Sequence, residues 1–283
     1  MTLRECLQYG EKKLEYSGVE NFKNDTRLLA MFVFGYNYSD ILMHLYDPIS
    51  DEDVETFKNI IELRSSHYPC QYIIGKQEFM GFLFKVTEDV LIPRQETELL
   101  VEQALFISQD MEECKILDVC CGSGCIGISY NLMRMKEGHN NDTVCLLDIS
   151  KEAVIVANEN KTSLGAKCDI IVSDLFENVD EKYDMIISNP PYICTDEINE
   201  LMEEVRCYEP MLALDGRSDG LYFYKKIIEE ARKYLYEDGK LLFEIGCDQY
   251  ESVRGLLIDA GFSNVTLKKD YAGLDRVVVG SLT

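Results

Sequence analysis

The sequence predicts an α/β protein: a doubly wound, mainly parallel sheet with an antiparallel terminal strand, preceded by a small all-helical amino-terminal domain and a β-hairpin linker. Three observations predict it. From Lys115 onward, short apolar runs alternate with helical stretches, as in a sheet with crossover helices. A glycine-bearing turn, Cys120-Cys121-Gly122-Ser123-Gly124-Cys125, joins the first such run to the first such helix. Before all of this, residues 2–67 carry apolar side chains at helical spacing.

The elements follow in order. Leu3, Cys6, Leu7 and Leu14 recur on one helical face. Asp25-Thr26 opens a helix carrying Leu28, Leu29, Met31, Phe32 and Phe34, and Gly35 ends it. Ser39-Asp40 starts a short turn that Pro48 breaks. Ser50-Asp51-Glu52-Asp53 reads as a capping box ahead of Val54, Phe57, Ile60, Ile61 and Leu63. Tyr72-Ile73-Ile74-Gly75 and the run 79–86 read as strands with turns at Gly75 and Gly81. A helix begins at Glu96 to Glu98, where carboxylates suit the helix dipole. Strands are then expected at 116–119, 143–147, 170–172, 182–188 and 240–245. The helices between and after them are 126–135, 151–163, 221–236 (ended by Asp238-Gly239) and 250–260. The stretches 265–267 and 276–279 make a terminal pair. The domain boundaries read 1–68 helical, 69–90 hairpin linker and 91–283 catalytic.

Composition narrows the function. Charged residues make up 28% of the chain and the formal net charge is −23. Such a surface repels nucleic acid and anionic membranes unless basic residues cluster, and no run of Lys or Arg does so. Eleven cysteines scattered through apparent helices and strands, without a Cys-x-x-Cys pair, do not form a disulfide framework. With only three histidines and none beside Cys120, Cys121 or Cys125, the cysteines read as structural thiols and no metal is expected. The first residues lack the charged and apolar regions of a signal peptide. The expectation is a cytoplasmic monomer.

The chemistry concentrates at strand ends. Gly122, Gly124 and Gly127 match Gly-x-Gly-x-x-Gly after the strand that carries Asp118, a loop that lets backbone approach a ligand. Asp148 ends the next strand, about 20–25 residues on, where an acid meets a ribose diol. Asp174 ends the third, where it would meet an adenine amine. Each aspartate alone is ordinarily a solvated strand end; three in register point to an adenosine-bearing cofactor, a dinucleotide or S-adenosylmethionine. His44, His67 and His139 lie far from these strand ends, so hydride chemistry lacks its usual acid. The fourth strand instead delivers Ser188-Asn189-Pro190-Pro191-Tyr192. Two prolines stop the strand and stiffen it, leaving an amide, free carbonyls and one ring to grip a planar N–H donor.

Asn-Pro-Pro-Tyr in this position resembles the motif of class I methyltransferases that act on planar nitrogen. Further stretches resemble the release factor glutamine methyltransferases (PrmC) in particular: Pro69-x-x-Tyr72-Ile73-x-Gly75 with Phe79-Met80-Gly81; Leu91-Ile92-Pro93-Arg94-x-Glu96-Thr97-Glu98; Glu209-Pro210 with Ala213-Leu214 and Asp219-Gly220-Leu221; and Ala272-Gly273-Leu274-Asp275-Arg276. The resemblance spans the chain. It implies a class I methyltransferase fold and S-adenosylmethionine as cofactor. It also implies methyl transfer to the glutamine amide of the Gly-Gly-Gln motif in class I peptide chain release factors, the helical domain docking that partner. Asp118, Cys120, Cys121, Gly122, Ser123, Gly124, Asp148, Asp174, Leu175 and Asn189 would then hold the cofactor. Asn189, Pro190, Pro191 and Tyr192 would hold the substrate, with Asn189, Pro190 and Tyr192 catalytic. Three departures stand out. Cys120 replaces the first loop glycine, Gln95 replaces the second proline of Pro-Arg-Pro, and Leu175 replaces the aromatic that covers the adenine. Arg94 is expected to pair with an acid across the domain interface, and Asp275-Arg276 to form an interstrand turn with a salt bridge. The alternatives are a nucleobase exocyclic-amine methyltransferase, which the acidity disfavours, and a non-catalytic adenosine-binding module.

Overall fold

The computed structural model describes residues 1–282. Contacts divide them into one unit of Met1–Lys76 with Met202–Tyr208, and another of Gln77–Leu201 with the chain from Glu209 onward. The division differs from the boundaries read in the sequence. The hairpin falls with the second unit, and a short segment far along the chain falls with the first.

The first unit contains helices α1 (Leu3–Tyr16), α2 (Phe22–Phe34), α3 (Tyr38–Met43), α4 (Asp51–Ser65) and α5 (Cys70–Ile74). Leu3, Cys6, Leu14, Leu29, Ala30, Val54, Phe57 and Ile61 form its core. Gly10 lets α1 approach its neighbours closely, since a Cβ there would stand 2.7 Å from Thr26 Cγ2. Three expectations are corrected. First, α2 begins at Phe22, so Asp25 is not a cap but a buried acid that accepts from Arg64 Nε at 2.8 Å. Arg64 is 4% exposed and also pairs with Glu204, which gives the buried guanidinium two carboxylates. Second, Ser50 caps α4 through Asp53 N, but its hydroxyl donates to the Asp53 carboxylate, so only half of the capping box forms. Third, residues 72–74 belong to helix α5, which Gly75 ends at φ 74°. A short apolar run carries no periodicity that separates strand from helix.

All but the first residue of a hairpin, β1 (Lys76–Phe79) and β2 (Phe82–Lys85), falls in the second unit. Met80 and Gly81 turn it at φ 52° and 75°, the two positive angles that a type I′ turn requires. Glu98 Oε1 accepts from Met80 N at 2.6 Å. The Glu98 carboxylate therefore anchors the turn as well as facing a helix start.

Helix α6 (Glu98–Ser108) follows a 3₁₀ turn at Gln95–Thr97. Then come β3 (Lys115–Val119), α7 (Cys125–Lys136), β4 (Thr143–Asp148), α8 (Lys151–Leu164), β5 (Asp169–Val172) and β6 (Tyr183–Ser188). Next are α9 (Glu203–Tyr208, the late segment of the first unit), α10 (Met211–Leu214), α11 (Tyr222–Tyr234), β7 (Leu235–Glu244), α12 (Tyr250–Asp259), β8 (Phe262–Lys269) and β9 (Asp275–Leu282). The sheet order is β5-β4-β3-β6-β7-β9-β8. The pairings from β5 to β7 are parallel, and β9 runs antiparallel to both β7 and β8. This is the class I methyltransferase architecture predicted from the sequence.

Alternation along the strands fills two cores. Ile116, Leu146 and Ile187 join the one that includes Leu100 of α6 and Ile126 of α7. Leu117, Leu147 and Ile186 join the one that includes Ile227 of α11 and Val253 of α12. Helix α11 ends earlier than expected, because Leu235 already pairs with Tyr183. The pairing then jumps to Met185 with Lys240, and residues 236–239 bulge out around Asp238 at φ 64°. After β3 the chain builds one side of the sheet, and β6 returns it to the other. The crevice at the carboxyl ends of β3 and β6 is therefore the place for a ligand. Among the described residues no helix is long and apolar enough to cross a membrane.

Candidate active site

The loop between β3 and α7 is clamped to the next strand. Cys121 N donates to Leu147 O at 2.9 Å and Gly122 N to Asp148 Oδ2 at 2.8 Å. Asn160 Nδ2 donates to Ser123 O at 3.0 Å, while its Oδ1 accepts from Lys85 N at 2.6 Å, so one buried amide ties the loop to the hairpin. The three spaced glycines divide the work. Gly122 (φ 53°) faces open space, whereas a Cβ on Gly124 (φ 79°) would stand 2.8 Å from Ile128 Cδ1. A Cβ on Gly127 would crowd Leu146, and its N–H donates to Asp118 Oδ2 at 2.9 Å. Asp118 is wholly buried and its Oδ1 has no partner. Burial, opposed only by the Gly127 N–H, pushes its carboxyl up to about 7. This aspartate fastens helix to strand from behind the loop.

Cys120 adopts φ 62°. The backbone keeps the path a glycine would take although the side chain makes that costly, by about 1–2 kcal/mol. Burial raises the Cys120 thiol and, with it, those of Cys121 and Cys125, so all three stay neutral. Cys120→Gly is expected to leave stability to urea within about 1 kcal/mol, because relieved strain and lost packing offset each other. Cys120→Val, branched at Cβ, is expected to lose a further 1–2 kcal/mol, roughly. Among the described residues no group of His, Cys, Asp and Glu could hold a metal ion.

At the end of β4, Asp148 accepts from Gly122 N and from Ser150 N, the latter at 2.9 Å. Burial nonetheless raises its pKa. At the end of β5, Asp174 is exposed. Leu175 sits at φ 45° and packs against the core that holds Phe176 and Tyr234.

Ser188, the last residue of β6, donates its hydroxyl to Val119 O at 2.7 Å and fixes the start of the proline motif. Asn189 Nδ2 lies 3.4 Å from Thr97 Oγ1. Pro190 and Pro191 are buried. The Tyr192 hydroxyl lies 3.5 Å from Glu244 Oε1, and its carbonyl accepts from Gln249 Nε2 at 3.0 Å. Gly216 and Gly220 press on the Tyr192 backbone, where a Cβ would come within 2.7 and 2.4 Å.

These pieces surround one cavity of about 890 Å³, its mouth included. Cys120, Cys121, Gly122, Ser123, Asp148, Asn189 and Pro191 line it. Asp118, Gly124, Asp174, Leu175, Pro190 and Tyr192 are not among the lining residues, although Pro190 stands between two that are. The sequence reading missed part of the rim: Asp89 and Val90 come from a turn, and Leu212 and Phe223 from the helices α10 and α11, none of them in a motif that signals a ligand. Arg94, which lines the cavity, pairs with Glu209, whose Oε2 accepts from Ile92 N at 3.3 Å. Both partners belong to the second unit, which corrects the expectation of an interface pair. Arg276 pairs with Asp270 at 3.2 Å and Lys269 with Asp275, so the terminal turn is held by two ion pairs.

Comparison with known proteins gives two family matches: residues 5–75 to the PrmC N-terminal domain and residues 95–205 to the methyltransferase small domain. A release factor glutamine methyltransferase of Fusobacterium nucleatum is 39% identical, over 97% of this chain and 78% of that protein. One of Geobacter sulfurreducens is 36% identical, over 99% of this chain and 97% of that protein. Among solved structures, the Thermus thermophilus 16S rRNA methyltransferase RsmC, in complex with AdoMet and guanosine, superposes with a TM-score of 0.51 at 15% identity. That alignment covers 74% of this chain and 50% of RsmC, a likeness of fold.

Proposed function

Because the chain belongs to the release factor glutamine methyltransferase family, we propose that its cavity takes the methyl donor at the glycine loop and the substrate amide at Asn189-Pro190-Pro191-Tyr192. The activity is S-adenosylmethionine-dependent N-methylation of a release factor glutamine. The finer target, the glutamine of a Gly-Gly-Gln tip in class I release factors, is part of the proposal. So are docking by the helical first unit, action as a monomer without direct nucleic-acid contact, and a place among the cytoplasmic translation machinery.

The residues present fit the cofactor. Gly122 has open space where a Cβ would stand, so backbone can meet a ligand there. Asp148 brings a carboxylate to the same cavity, two acceptors for a diol. Val90, Leu91, Ile126 and Phe223 supply apolar wall. When bound, S-adenosylmethionine supplies a methyl group on a sulfonium sulfur.

The protein must make an amide nitrogen, a poor nucleophile, react. The observation that supports Asn189 in this task is the direction of its side chain. With Nδ2 toward Thr97, Oδ1 is left to accept a substrate N–H. The Pro190 carbonyl accepts the second. Two acceptors fix the amide plane and draw electron density toward nitrogen. The Tyr192 ring, which is not on the lining of the free cavity, meets the amide face in this proposal only once substrate enters past Pro191. No general base acts before attack, since the proton becomes acidic as nitrogen rehybridises and leaves to water.

The test is mass spectrometry of purified release factor after incubation with protein and S-adenosylmethionine, with duplex DNA and tRNA alongside. One added methyl on the Gly-Gly-Gln glutamine is expected. Methylation of nucleic acid alone would overturn the reading.

A further inference from the structure

Gln249 stands just before helix α12 and is not among the residues that line the cavity. It is half-buried, and its side-chain amide joins three segments of the chain. Nε2 donates to Tyr192 O at 3.0 Å, and its second hydrogen serves Gly220 O at 3.4 Å. Oε1 accepts from Gly246 N, just past β7, at 3.0 Å. An N–H donor on one side and two carbonyls on the other leave the amide one orientation. The Tyr224 hydroxyl lies 3.3 Å from Oε1, but gives its one proton to Glu244 O at the shorter distance of 2.9 Å.

These bonds fall where the proline motif needs them. Pro190 and Pro191 have no N–H to donate to a neighbouring strand, so the motif is held by its ends. At the start, Ser188 pairs with Val119 and Phe243 in the sheet, and its hydroxyl donates to Val119 O. At the finish, Gln249 takes the Tyr192 carbonyl, Ile193 N donates to Leu214 O at 3.1 Å, and Gly216 N donates to Ile193 O at 2.8 Å. The fit is close: a Cβ on Gly220 would stand 2.4 Å from Tyr192 O and 2.7 Å from Gln249 Nε2. The segment that closes on Tyr192 is flanked by Leu212, Ala213 and Phe223, which line the cavity.

We propose that Gln249 is a positioning residue for methyl transfer, acting through Tyr192 from outside the cavity. By holding the Tyr192 carbonyl to the exit of β7 and to the Gly220 turn, it pins the far end of Asn189-Pro190-Pro191-Tyr192. With the proline φ angles set by their rings and both ends pinned, the Pro190 carbonyl keeps one direction and the Tyr192 ring one seat. The ring's hydroxyl stands 3.5 Å from Glu244 Oε1, at the opposite end of the residue. The inference rests on the proposed role of this motif in holding the substrate amide. A misdirected acceptor leaves the amide nitrogen out of line with the methyl–sulfur bond, and a displacement of about 1 Å can cost about 100-fold in rate. The groups proposed for the cofactor, on the glycine loop and Asp148, make none of these bonds.

The experiment measures kcat with purified release factor, and affinity for S-adenosylmethionine by calorimetric titration. It compares the full chain with Gln249→Glu and Gln249→Leu, each checked by thermal unfolding. Glutamate keeps the size and the acceptor for Gly246 but sets a carboxylate oxygen against the Tyr192 and Gly220 carbonyls. Leucine removes the bonds without adding charge. Each is expected to lower kcat about fivefold or more and to leave cofactor affinity within about threefold. A smaller loss of kcat in folded Gln249→Glu would overturn the inference, as would equal loss of kcat and cofactor affinity. Should Gln249→Glu not fold, Gln249→Leu decides at the same thresholds. An inactive Asn189→Ala beside a fully active Gln249→Glu defeats this inference alone, whereas a fully active Asn189→Ala defeats the reading beneath it.

Discussion

Asn189→Ala is expected to lower kcat by about 10²–10³-fold while the affinity for S-adenosylmethionine stays within about threefold. The asymmetry follows from where the side chain stands. Asn189 reaches the cavity from the end of β6, and its Nδ2 is engaged by Thr97. Its oxygen is the part free to meet a substrate N–H. The groups proposed for the cofactor sit on other elements: the loop after β3 and Asp148 at the end of β4. Removing an acceptor that matters most as the amide rehybridises costs turnover more than binding. Single-turnover methyl transfer and calorimetric titration of the cofactor separate the two. Equal losses in both would show that Asn189 holds the cofactor instead. The substitution is also expected to fold, because the stiffness of the motif comes from Pro190 and Pro191 and from the Ser188 bond to Val119 O.

The sheet was legible in the sequence because each central strand is a short, nearly continuous apolar run bounded by turns, the signature of a strand buried on both faces. The glycine loop and Asn-Pro-Pro-Tyr were legible because their backbone demands restrict residue type. Elsewhere the pattern was silent. Residues 72–74 have the composition of a strand and form a turn of helix between Pro69 and Gly75. Nothing local marks Asp25 as the partner of Arg64, which lies 39 residues away. Leu175, expected over an adenine by analogy with an aromatic, is partly buried and packs against the core, a placement its sequence neighbours do not signal. Glu244 escaped notice as the last residue of an ordinary strand. The available signal was an acid closing an apolar run, Leu241-Leu242-Phe243-Glu244, at the carboxyl edge of the sheet where ligands bind. That Thr97 and Glu244 converge on the proline motif depends on three distant segments meeting, and no spacing rule reports such a meeting.

A single methyl group at either loop glycine is expected to have opposite consequences. In Gly122→Ala the new Cβ meets nothing within 4 Å. The cost to folding is then the strain of an alanine at φ 53°, about 1–2 kcal/mol. The same Cβ would project where the backbone is proposed to approach the cofactor, so affinity for S-adenosylmethionine is expected to fall about tenfold or more. In Gly124→Ala the strain at φ 79° is joined by overlap with Ile128 Cδ1 at 2.8 Å and by tight approach to Ala157 Cβ at 3.2 Å. Ala157 belongs to a packed core, so the chain has little room to give, and folding is expected to lose roughly 2–4 kcal/mol. Urea unfolding with and without S-adenosylmethionine distinguishes the two. Gly124→Ala should shift the midpoint of the free protein strongly. Gly122→Ala should shift it little and lose most of the stabilisation that ligand confers. If Gly122→Ala bound cofactor as the unsubstituted chain does, the methyl donor would have to lie elsewhere in the cavity, away from the loop whose glycine spacing first suggested it.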